Sequence, residues 1–245
     1  MNGTTDRVAI VTGGSRGIGR AAAERLAADG LAVVIAYVGN QAEADAAVGG
    51  IQEAGGRALA VQADVADEAA VAALFDAAER HFGGVDVVVN AAGVMVLAPV
   101  ADIDLVALDR MHRTNVRGTF VIGQQAARRV REGGAIINVS TSVTRLSTPG
   151  YGAYAASKAA VEALSLILAR ELRGRDVTVN AVAPGPTATA LFLEGKSAEL
   201  VEQIAGQNPM GRIGTPGDVA EVISALAGPA RWINGQTFFV NGGAA

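Results

Sequence analysis

Short runs of valine, isoleucine and alanine alternate along this chain with longer segments rich in alanine, leucine and charged residues. The short runs are continuously apolar, and strands of that kind are usually covered on both faces, as in a parallel sheet. The longer segments have the length and composition of helices that connect such strands. The alternation therefore predicts an α/β fold, a doubly wound parallel sheet with helices on both faces.

The predicted strands, in chain order, comprise residues 7–11, 32–37, 58–62, 86–90, 135–139, 177–182 and 238–240. The predicted helices comprise residues 18–28, 41–53, 68–81, 104–130, 153–173 and 215–226. No internal repeat and no linker rich in proline or serine interrupts the pattern. A single domain is therefore expected for residues 1–245, with a substrate lid at about residues 187–212 because loops often close over active sites.

Composition excludes several classes of protein. Half of the residues are apolar and 18% are charged, which is typical of a globular chain, and the net charge of −4 argues against a nucleic-acid partner. With no cysteine and two histidines, disulfides, metal sites and a histidine-dependent triad all lack support. No apolar run reaches the ~18 residues of a membrane span, and the start of the chain lacks a signal-peptide core, so a cytoplasmic protein without a membrane partner is expected.

A glycine-rich turn, TGGSRGIG at residues 12–19, joins the first predicted strand to the first helix. Glycine permits a tight turn and a close approach of the backbone to a pyrophosphate, and the helix that follows offers free N–H groups to that anion. The strand before and the helix after favour a Rossmann-type dinucleotide site over an ordinary loop. The cofactor-binding residues expected here are Gly13, Ser15, Arg16, Gly17, Ile18 and Gly19.

The end of the second strand favours NADP over NAD. An acidic residue about 20 positions beyond the glycines would hold the ribose of NAD, and none is present at residues 37–40. Tyr37, Gly39 and Asn40 leave room and hydrogen-bond donors for a 2′-phosphate, which the guanidinium of Arg16 can meet. NADPH is therefore expected to be preferred over NADH, although Arg16 as a merely solvated turn residue stays open.

Two further strand ends belong to the same predicted site, since ligands bind outside the carboxyl ends of strands in a doubly wound sheet. Asp64 and Val65 follow the third strand, where Asp64 either accepts from an adenine amino group or caps the next helix. Asn90, Ala91 and Gly93 follow the fourth strand, where small residues let a cofactor lie against the backbone.

Tyr154 and Lys158 open the long helix one turn apart, on the same face. A free phenol titrates near ~10, and a nearby ammonium stabilises the phenolate and lowers its pKa. The pair therefore predicts an acid/base catalyst. Ser140, at the end of the fifth strand, offers a hydroxyl to a substrate carbonyl, and Asn115 stands at a poor helix-forming position, which predicts a local irregularity and a bound water.

Taken together, these motifs resemble the short-chain dehydrogenase/reductase family. The resemblance covers nearly the whole chain and rests on residues 12–19, 64–65, 90–93, 115, 140, 154–158, 180, 184–185 and 234–236. It implies NAD(P)-dependent interconversion of a carbonyl compound and an alcohol. One departure is Ala91, where many members carry a second asparagine.

The resemblance also implies a role for each matching residue. Tyr154 would protonate the carbonyl oxygen, while Lys158 would lower the pKa of Tyr154 and hold the nicotinamide ribose. Ser140 would orient the substrate, and Asn115 would hold a water in a proton relay. The nicotinamide would be lined by Pro184, Gly185 and Thr187, the last a candidate for its carboxamide.

The family's usual serine–tyrosine spacing of thirteen residues falls on Thr141, and a spacing of fourteen falls on Ser140. The longer spacing occurs in the branch similar to the fungal trihydroxynaphthalene reductases, and residues 147–154 are similar to that branch without gaps. We therefore favour Ser140, with Thr141 or Ser142 as substitutes.

The expected activity is NADPH-dependent reduction of a ketone, with tyrosine as the general acid. The alternatives are an alcohol or sugar dehydrogenase working in the oxidative direction, a 3-oxoacyl-carrier-protein reductase, and a non-catalytic dinucleotide sensor on the same fold. The expected substrate wall at residues 94–97, 143–151 and 189–211 is largely apolar, which favours an aromatic or alicyclic ketone unless Arg145, Lys196 or Arg212 turns inward. Alanine-rich, weakly charged helix faces predict a homotetramer or homodimer.

Overall fold

The computed structural model describes residues 7–245 of the chain. The strands in this part are β1 Val8–Thr12, β2 Ala32–Tyr37, β3 Arg57–Gln62, β4 Val85–Asn90, β5 Val130–Val139, β6 Thr178–Pro184 and β7 Thr237–Val240. They form one parallel sheet with the order β3-β2-β1-β4-β5-β6-β7. The predicted doubly wound fold is confirmed, and the strand order reverses between β1 and β4, where folds of this class bind ligands.

Helices connect the strands and cover both faces of the sheet. They are α1 Gly17–Ala28, α2 Gln41–Glu53, α3 Glu68–Phe82, α4 Leu105–His112, α5 Gly118–Arg129, α6 Val143–Leu146, α7 Gly152–Glu171, α8 Ala190–Leu193, α9 Ala198–Gln207 and α10 Pro216–Ala227. Polar residues begin several of them: the side chains of Asn40, Asp67 and Thr215 each accept a hydrogen bond from the first turn of their helix.

Alternate residues of the central strands enter two separate cores. On β1, Val8 and Ile10 pack in a core with α3, α5 and α7, whereas Ala9 and Val11 pack in a core with α1, α2 and α10. All four side chains are fully buried. Because burial of one Val or Ile contributes about 1.5–3 kcal/mol, the two cores give a rigid platform on which the carboxyl ends of the strands are held.

The helix predicted over residues 104–130 is confirmed as one helical segment that contains an irregular turn. After α4, the chain forms a π-helical turn at Arg113–Arg117, and a regular helix resumes at Gly118. Asn115 stands inside this turn, so the predicted irregularity is present. A Cβ at Gly118 would lie 2.6 Å from the side chain of Val65, which shows how closely the turn approaches the loop after β3.

The fifth strand is longer than predicted. It begins at Val130, which pairs with Val85, and the register then shifts before Ala135 pairs with Val87. Gly133 in this irregular stretch has a φ of +79°, a conformation that favours glycine.

Among residues 7–245, α7 is long and apolar enough by length and composition to cross a membrane. It packs against β6 and α5 and carries the buried Tyr154 and Lys158. Helices in the core of a folded protein can be equally long and apolar.

Candidate active site

A cavity of about 980 Å³ opens at the carboxyl ends of the central strands. Every residue predicted for the site lines it except Asn90 and Asn115. The residues at 184–187 also reach the cavity, because β6 carries the chain to the same edge of the sheet. The structure therefore brings together predicted site residues from seven separate segments of the chain.

The glycine turn is shaped to hold an extended anionic ligand. Gly13 and Gly17 have φ values of +63° and +55°, and a Cβ at Gly19 would lie 2.2 Å from the carbonyl oxygen of Gly13. No side chain caps the start of α1, so the N–H groups of its first turn are available to a pyrophosphate. The cradle has room for a dinucleotide only because these positions lack side chains.

Gly19→Ala is expected to weaken dinucleotide binding by at least about tenfold and to destabilise the protein by about 1–3 kcal/mol. The added methyl group would overlap the Gly13 carbonyl, which is backbone and cannot rotate away. Fluorescence titration with NADPH and urea unfolding measure the two effects. Gly49→Ala is the matched control: it lies within α2 with nothing within 4 Å of its added Cβ, and it is expected to stabilise the protein slightly. Equal behaviour of the two variants would contradict the close packing of the turn.

Arg16 lies on the exposed side of the turn and lines the cavity. Within residues 7–245, no hydrogen bond or ion pair engages its guanidinium. Tyr37 and Gly39 line the same cavity, and Asn40 caps α2 by accepting from the N–H of Glu43 at 3.2 Å. A cation without a protein partner therefore stands beside the end of β2.

Asp64 is held by two donors at the end of β3. Its Oδ1 accepts from the N–H of Ala66 at 2.9 Å, and its Oδ2 accepts from Arg113 Nη1 at 2.6 Å. Burial alone would raise the pKa of Asp64, but these hydrogen bonds lower it below its ordinary value. The carboxylate links the loop after β3 to the π-helical turn, and its contact with an adenine stays a prediction.

Asn90 lies beneath the cavity and not in its wall. Its Oδ1 accepts from Thr12 Oγ1 at 2.8 Å, and its Nδ2 donates to Thr119 Oγ1 at 3.1 Å. Thr12 Oγ1 in turn accepts from the N–H of Ala92 at 3.1 Å. This buried network joins the ends of β1 and β4, so Asn90 shapes the floor on which a cofactor would lie.

Asn115 is also fully buried. Its side-chain amide exchanges two hydrogen bonds of 2.9 Å with the backbone of Val94, and its Nδ2 lies 3.0 Å from Ser157 Oγ. The π-helical turn thus clamps the loop after β4 against α7. The predicted water in a proton relay is not tested by these contacts.

Tyr154 is 8% exposed and lines the cavity together with Thr141, whose side chain influences the pKa of the phenol. Burial raises the pKa of Tyr154 to about 12. The side chain of Thr141 lowers this pKa by a smaller amount, and the neighbouring Tyr151 raises it slightly further. The predicted lowering of this pKa is not seen, because burial dominates. The phenol is therefore protonated throughout the neutral range.

Lys158 lies in the same cavity, 4% exposed. Its Nζ donates to the carbonyl oxygen of Val139 at 2.8 Å. Burial lowers the pKa of Lys158 to about 8, because the charged form loses its hydration. A Cβ at Gly93 would lie 3.3 Å from this Nζ, so the loop after β4 passes directly beside the amine.

Ser140, predicted to orient the substrate, has another partner. Its Oγ donates to Glu162 Oε1 at 2.6 Å, and the hydroxyl next in the chain, that of Thr141, contacts Tyr154 instead. Ser142 Oγ donates to the carbonyl oxygen of Ala183 at 3.0 Å. Of the three hydroxyls that the sequence left open, that of Thr141 is the one that influences the pKa of the tyrosine.

The end of the cavity away from the glycine turn is mostly apolar. Arg145 stacks on the ring of Phe239 at 3.9 Å, Lys196 donates to the carbonyl oxygen of Phe192 at 2.6 Å, and Arg212 pairs with Asp218 at 2.7 Å. None of the three cations lines the cavity. The wall here includes Val94, Met95, Leu146, Tyr151, Phe192 and Ile204.

The predicted lid contains α8 and α9, neither of which has a buried residue. At its start, the methyl group of Thr189 would lie 3.3 Å from a Cβ at Gly17. At its end, Asn208 Nδ2 donates to the carbonyl oxygen of Asn241 at 2.7 Å, and Ala244 lines the cavity. The lid therefore spans from the glycine turn to the C-terminal segment, whose part in the wall the sequence did not predict.

The parallel sheet, the glycine turn, and the helix face that carries the buried Tyr154 and Lys158 are together those of an NAD(P)-dependent oxidoreductase. A family model described as enoyl-(acyl carrier protein) reductase matches residues 13–245. The chain is 45% identical to an NADPH-dependent aldehyde reductase-like chloroplastic protein of Arabidopsis thaliana (97% of this chain, 93% of that protein) and 39% identical to a versicolorin reductase of Emericella nidulans (97% and 95%). A Burkholderia cenocepacia short-chain dehydrogenase in complex with NADP superposes with a TM-score of 0.91 at 41% identity, covering 98% of both chains. The chain belongs to the short-chain dehydrogenase/reductase family.

Proposed function

We propose that this protein is an NADPH-dependent carbonyl reductase that acts on uncharged, apolar ketones or aldehydes. The observation that carries the proposal is a protonated, buried Tyr154 next to the Thr141 hydroxyl, at the border of an apolar cavity. The Arabidopsis and Emericella relatives are named as reductases, and the Burkholderia structure holds NADP, which supports both the direction and the cofactor.

The cofactor, when bound, supplies the hydride, and the chain supplies orientation and a proton. Tyr154 donates its phenolic proton to the carbonyl oxygen as negative charge develops there. Thr141 replaces Ser140 as the substrate-orienting hydroxyl, because Ser140 is engaged by Glu162. Lys158 faces the same space and would hold the nicotinamide ribose. Because burial raises the pKa of Tyr154 to about 12, the phenol carries the proton that ketone reduction requires.

The substrate class is inferred from the end of the cavity away from the glycine turn, whose wall Arg145, Lys196 and Arg212 do not reach. A carboxylated ketone would leave its charge unpaired against Leu146, Phe192 and Ile204, which is costly away from water. Tyr151, half-buried in the same wall, offers one hydroxyl and an aromatic face. An aromatic or alicyclic carbonyl compound therefore fits this wall best.

A panel of carbonyl compounds with NADPH and with NADH tests the proposal. Aromatic and alicyclic ketones and aromatic aldehydes are expected to be reduced with NADPH, with kcat/KM at least tenfold above that of matched 2-oxo acids. Faster reduction of the acids, or no oxidation of either cofactor with any compound, would overturn it. The second result would favour a dinucleotide sensor.

Arg16→Ala is expected to raise KM for NADPH about 10- to 100-fold and to leave KM for NADH nearly unchanged. A charge-assisted hydrogen bond from the guanidinium to the 2′-phosphate is worth roughly 1.5–3 kcal/mol, and NADH lacks that group. Initial rates with both cofactors measure the change. The control is Arg20→Ala, one turn further along α1, where the guanidinium pairs with Glu24 at 2.7 Å. Parallel losses with NADH would contradict a phosphate contact.

We also propose that the protein forms a homo-oligomer. Leu105 and Val106 of α4 are 66% and 77% exposed, and Phe120 of α5 is 50% exposed. On α7, Leu166 and Ile167 are 41% and 52% exposed as well. Because monomers rarely leave such large side chains together in water, burial against a second copy is expected. Light scattering is expected to give the mass of a dimer or tetramer, and a monomer would contradict the proposal.

A further inference from the structure

Three side chains on one face of α7 point at the loop after β5. Tyr154, Lys158 and Glu162 are spaced by four residues and therefore lie one above the other on the helix. The sequence reveals a role for the first two, whereas Glu162 belongs to no motif found there. We call residues 140–144 the β5 loop, since this segment runs from the end of β5 into the first residues of α6.

Glu162 holds both ends of the β5 loop. Its Oε1 accepts from Ser140 Oγ at 2.6 Å and lies 3.0 Å from Thr144 Oγ1. The Ser140 hydroxyl has a second acceptor, the carbonyl oxygen of Lys158, at 3.4 Å, so its single hydrogen goes to the nearer and charged one. The carboxylate thus holds the Ser140 hydroxyl. It also competes with the carbonyl oxygen of Thr141 for the hydrogen of the Thr144 hydroxyl.

Thr141 lies between these two anchors. Its carbonyl oxygen lies 3.0 Å from Thr144 Oγ1, and its own side chain lines the cavity beside Tyr154, whose pKa it lowers. The N–H of Ser140 donates to the carbonyl oxygen of Val182 at 2.7 Å, which ties the start of the loop to β6 as well. With Ser140 and Thr144 held, the backbone between them keeps the Thr141 hydroxyl on the side of the cavity.

We infer that Glu162 is a positioning residue for the reaction: it holds the Ser140 and Thr144 hydroxyls and thereby keeps the Thr141 hydroxyl at Tyr154. Glu162 is half-buried and does not line the cavity, so it acts through the loop and not on the substrate. The inference rests on the proposed function, because it assigns Thr141 the contact with the carbonyl oxygen. It also explains why Ser140, one residue earlier, is unavailable for that contact.

A double-mutant cycle between Glu162 and Thr141 tests the inference. Glu162→Ala is expected to lower kcat for an aromatic ketone at least about tenfold, with the Kd for NADPH changed less than twofold. Glu162→Gln, which keeps an acceptor oxygen, is expected to recover most of the loss. In the Thr141→Ala background, Glu162→Ala is expected to cause no further loss, because residues that act through one contact are not additive. The control is Glu171→Ala, an exposed glutamate at the end of α7.

The outcomes separate this inference from the proposed function. If Thr141→Ala is impaired but Glu162→Ala retains wild-type kcat, or if the two losses multiply in the double variant, Glu162 is not a positioning residue and the proposed function stands. If Thr141→Ala retains wild-type kcat, both the Thr141 assignment and the inference fall. Should Glu162→Ala fail to fold, Ser140→Ala with Thr144→Val removes both partners of the carboxylate, and the same loss, absent in the Thr141→Ala background, is expected.

Discussion

Tyr154→Phe is expected to lower kcat for ketone reduction by about 10²- to 10⁴-fold, the range that general acid catalysis contributes. The substitution removes one oxygen from a buried ring and leaves the packing of the ring unchanged. The Kd for NADPH is expected to change by less than about threefold, because the glycine turn and Arg16 supply the predicted contacts to the phosphates. Steady-state rates and fluorescence titration measure the two quantities.

Tyr151→Phe is the matched control for this experiment. Tyr151 is three residues earlier in the chain, lines the same cavity and loses the same atom. Because Tyr151 lies in the apolar substrate wall, its substitution is expected to alter KM for the substrate more than kcat. Retention of more than about a tenth of the wild-type kcat by Tyr154→Phe would remove the proton donor from the mechanism, and an equal loss in Tyr151→Phe would show that the cavity and not the phenol is responsible.

Much of the fold was predictable because its signals are local. The apolar runs at β2 and β4 are continuous, so their burial on both faces follows from composition, and the bounds predicted for β2 and α2 agree with the structure. The ends of these strands were then sufficient to bring the glycine turn, Tyr37 and Asp64 to one edge. Where the backbone departs from regular geometry, as in the π-helical turn around Asn115, the pattern indicated an irregularity but not its form.

The side-chain partners were not predictable, because each depends on contacts between distant parts of the chain. Spacing favoured Ser140 over Thr141, but spacing did not reveal that the Ser140 hydroxyl donates to Glu162, twenty-two residues away. The pattern of Tyr154 and Lys158 predicted an acidified phenol, whereas the extent of burial, which spacing does not encode, raises the pKa of the phenol instead. The spacing of Glu162, four residues beyond Lys158, is a signal that could have been read.

Lys158→Met is expected to abolish most of the activity and yet to stabilise the cofactor-free protein at pH 7. Burial lowers the pKa of Lys158 from 10.5 to about 8, so the charged amine of the folded protein reduces the free energy of unfolding at pH 7 by on the order of 3 kcal/mol. Loss of the hydrogen bond to Val139 offsets about 1 kcal/mol of that gain. Urea unfolding is therefore expected to show a more stable variant, while kcat falls at least about 10²-fold.

The pH dependence gives this prediction its sign. Between pH 8 and 10.5 the unfolded chain holds a proton on Lys158 that the folded protein has lost, so the free energy of unfolding of the wild type rises with pH through that window. The advantage of Lys158→Met is therefore expected to be about 1 kcal/mol smaller at pH 9 than at pH 7. The raised pKa of Tyr154 acts with the opposite sign, but only above pH 10. Lys196→Met, in the lid, serves as the control. If the difference in free energy of unfolding between Lys158→Met and the wild type stays constant or grows between pH 7 and 9, the amine is not held in a desolvated site. Lys158 would then not lower the stability of the protein in return for activity.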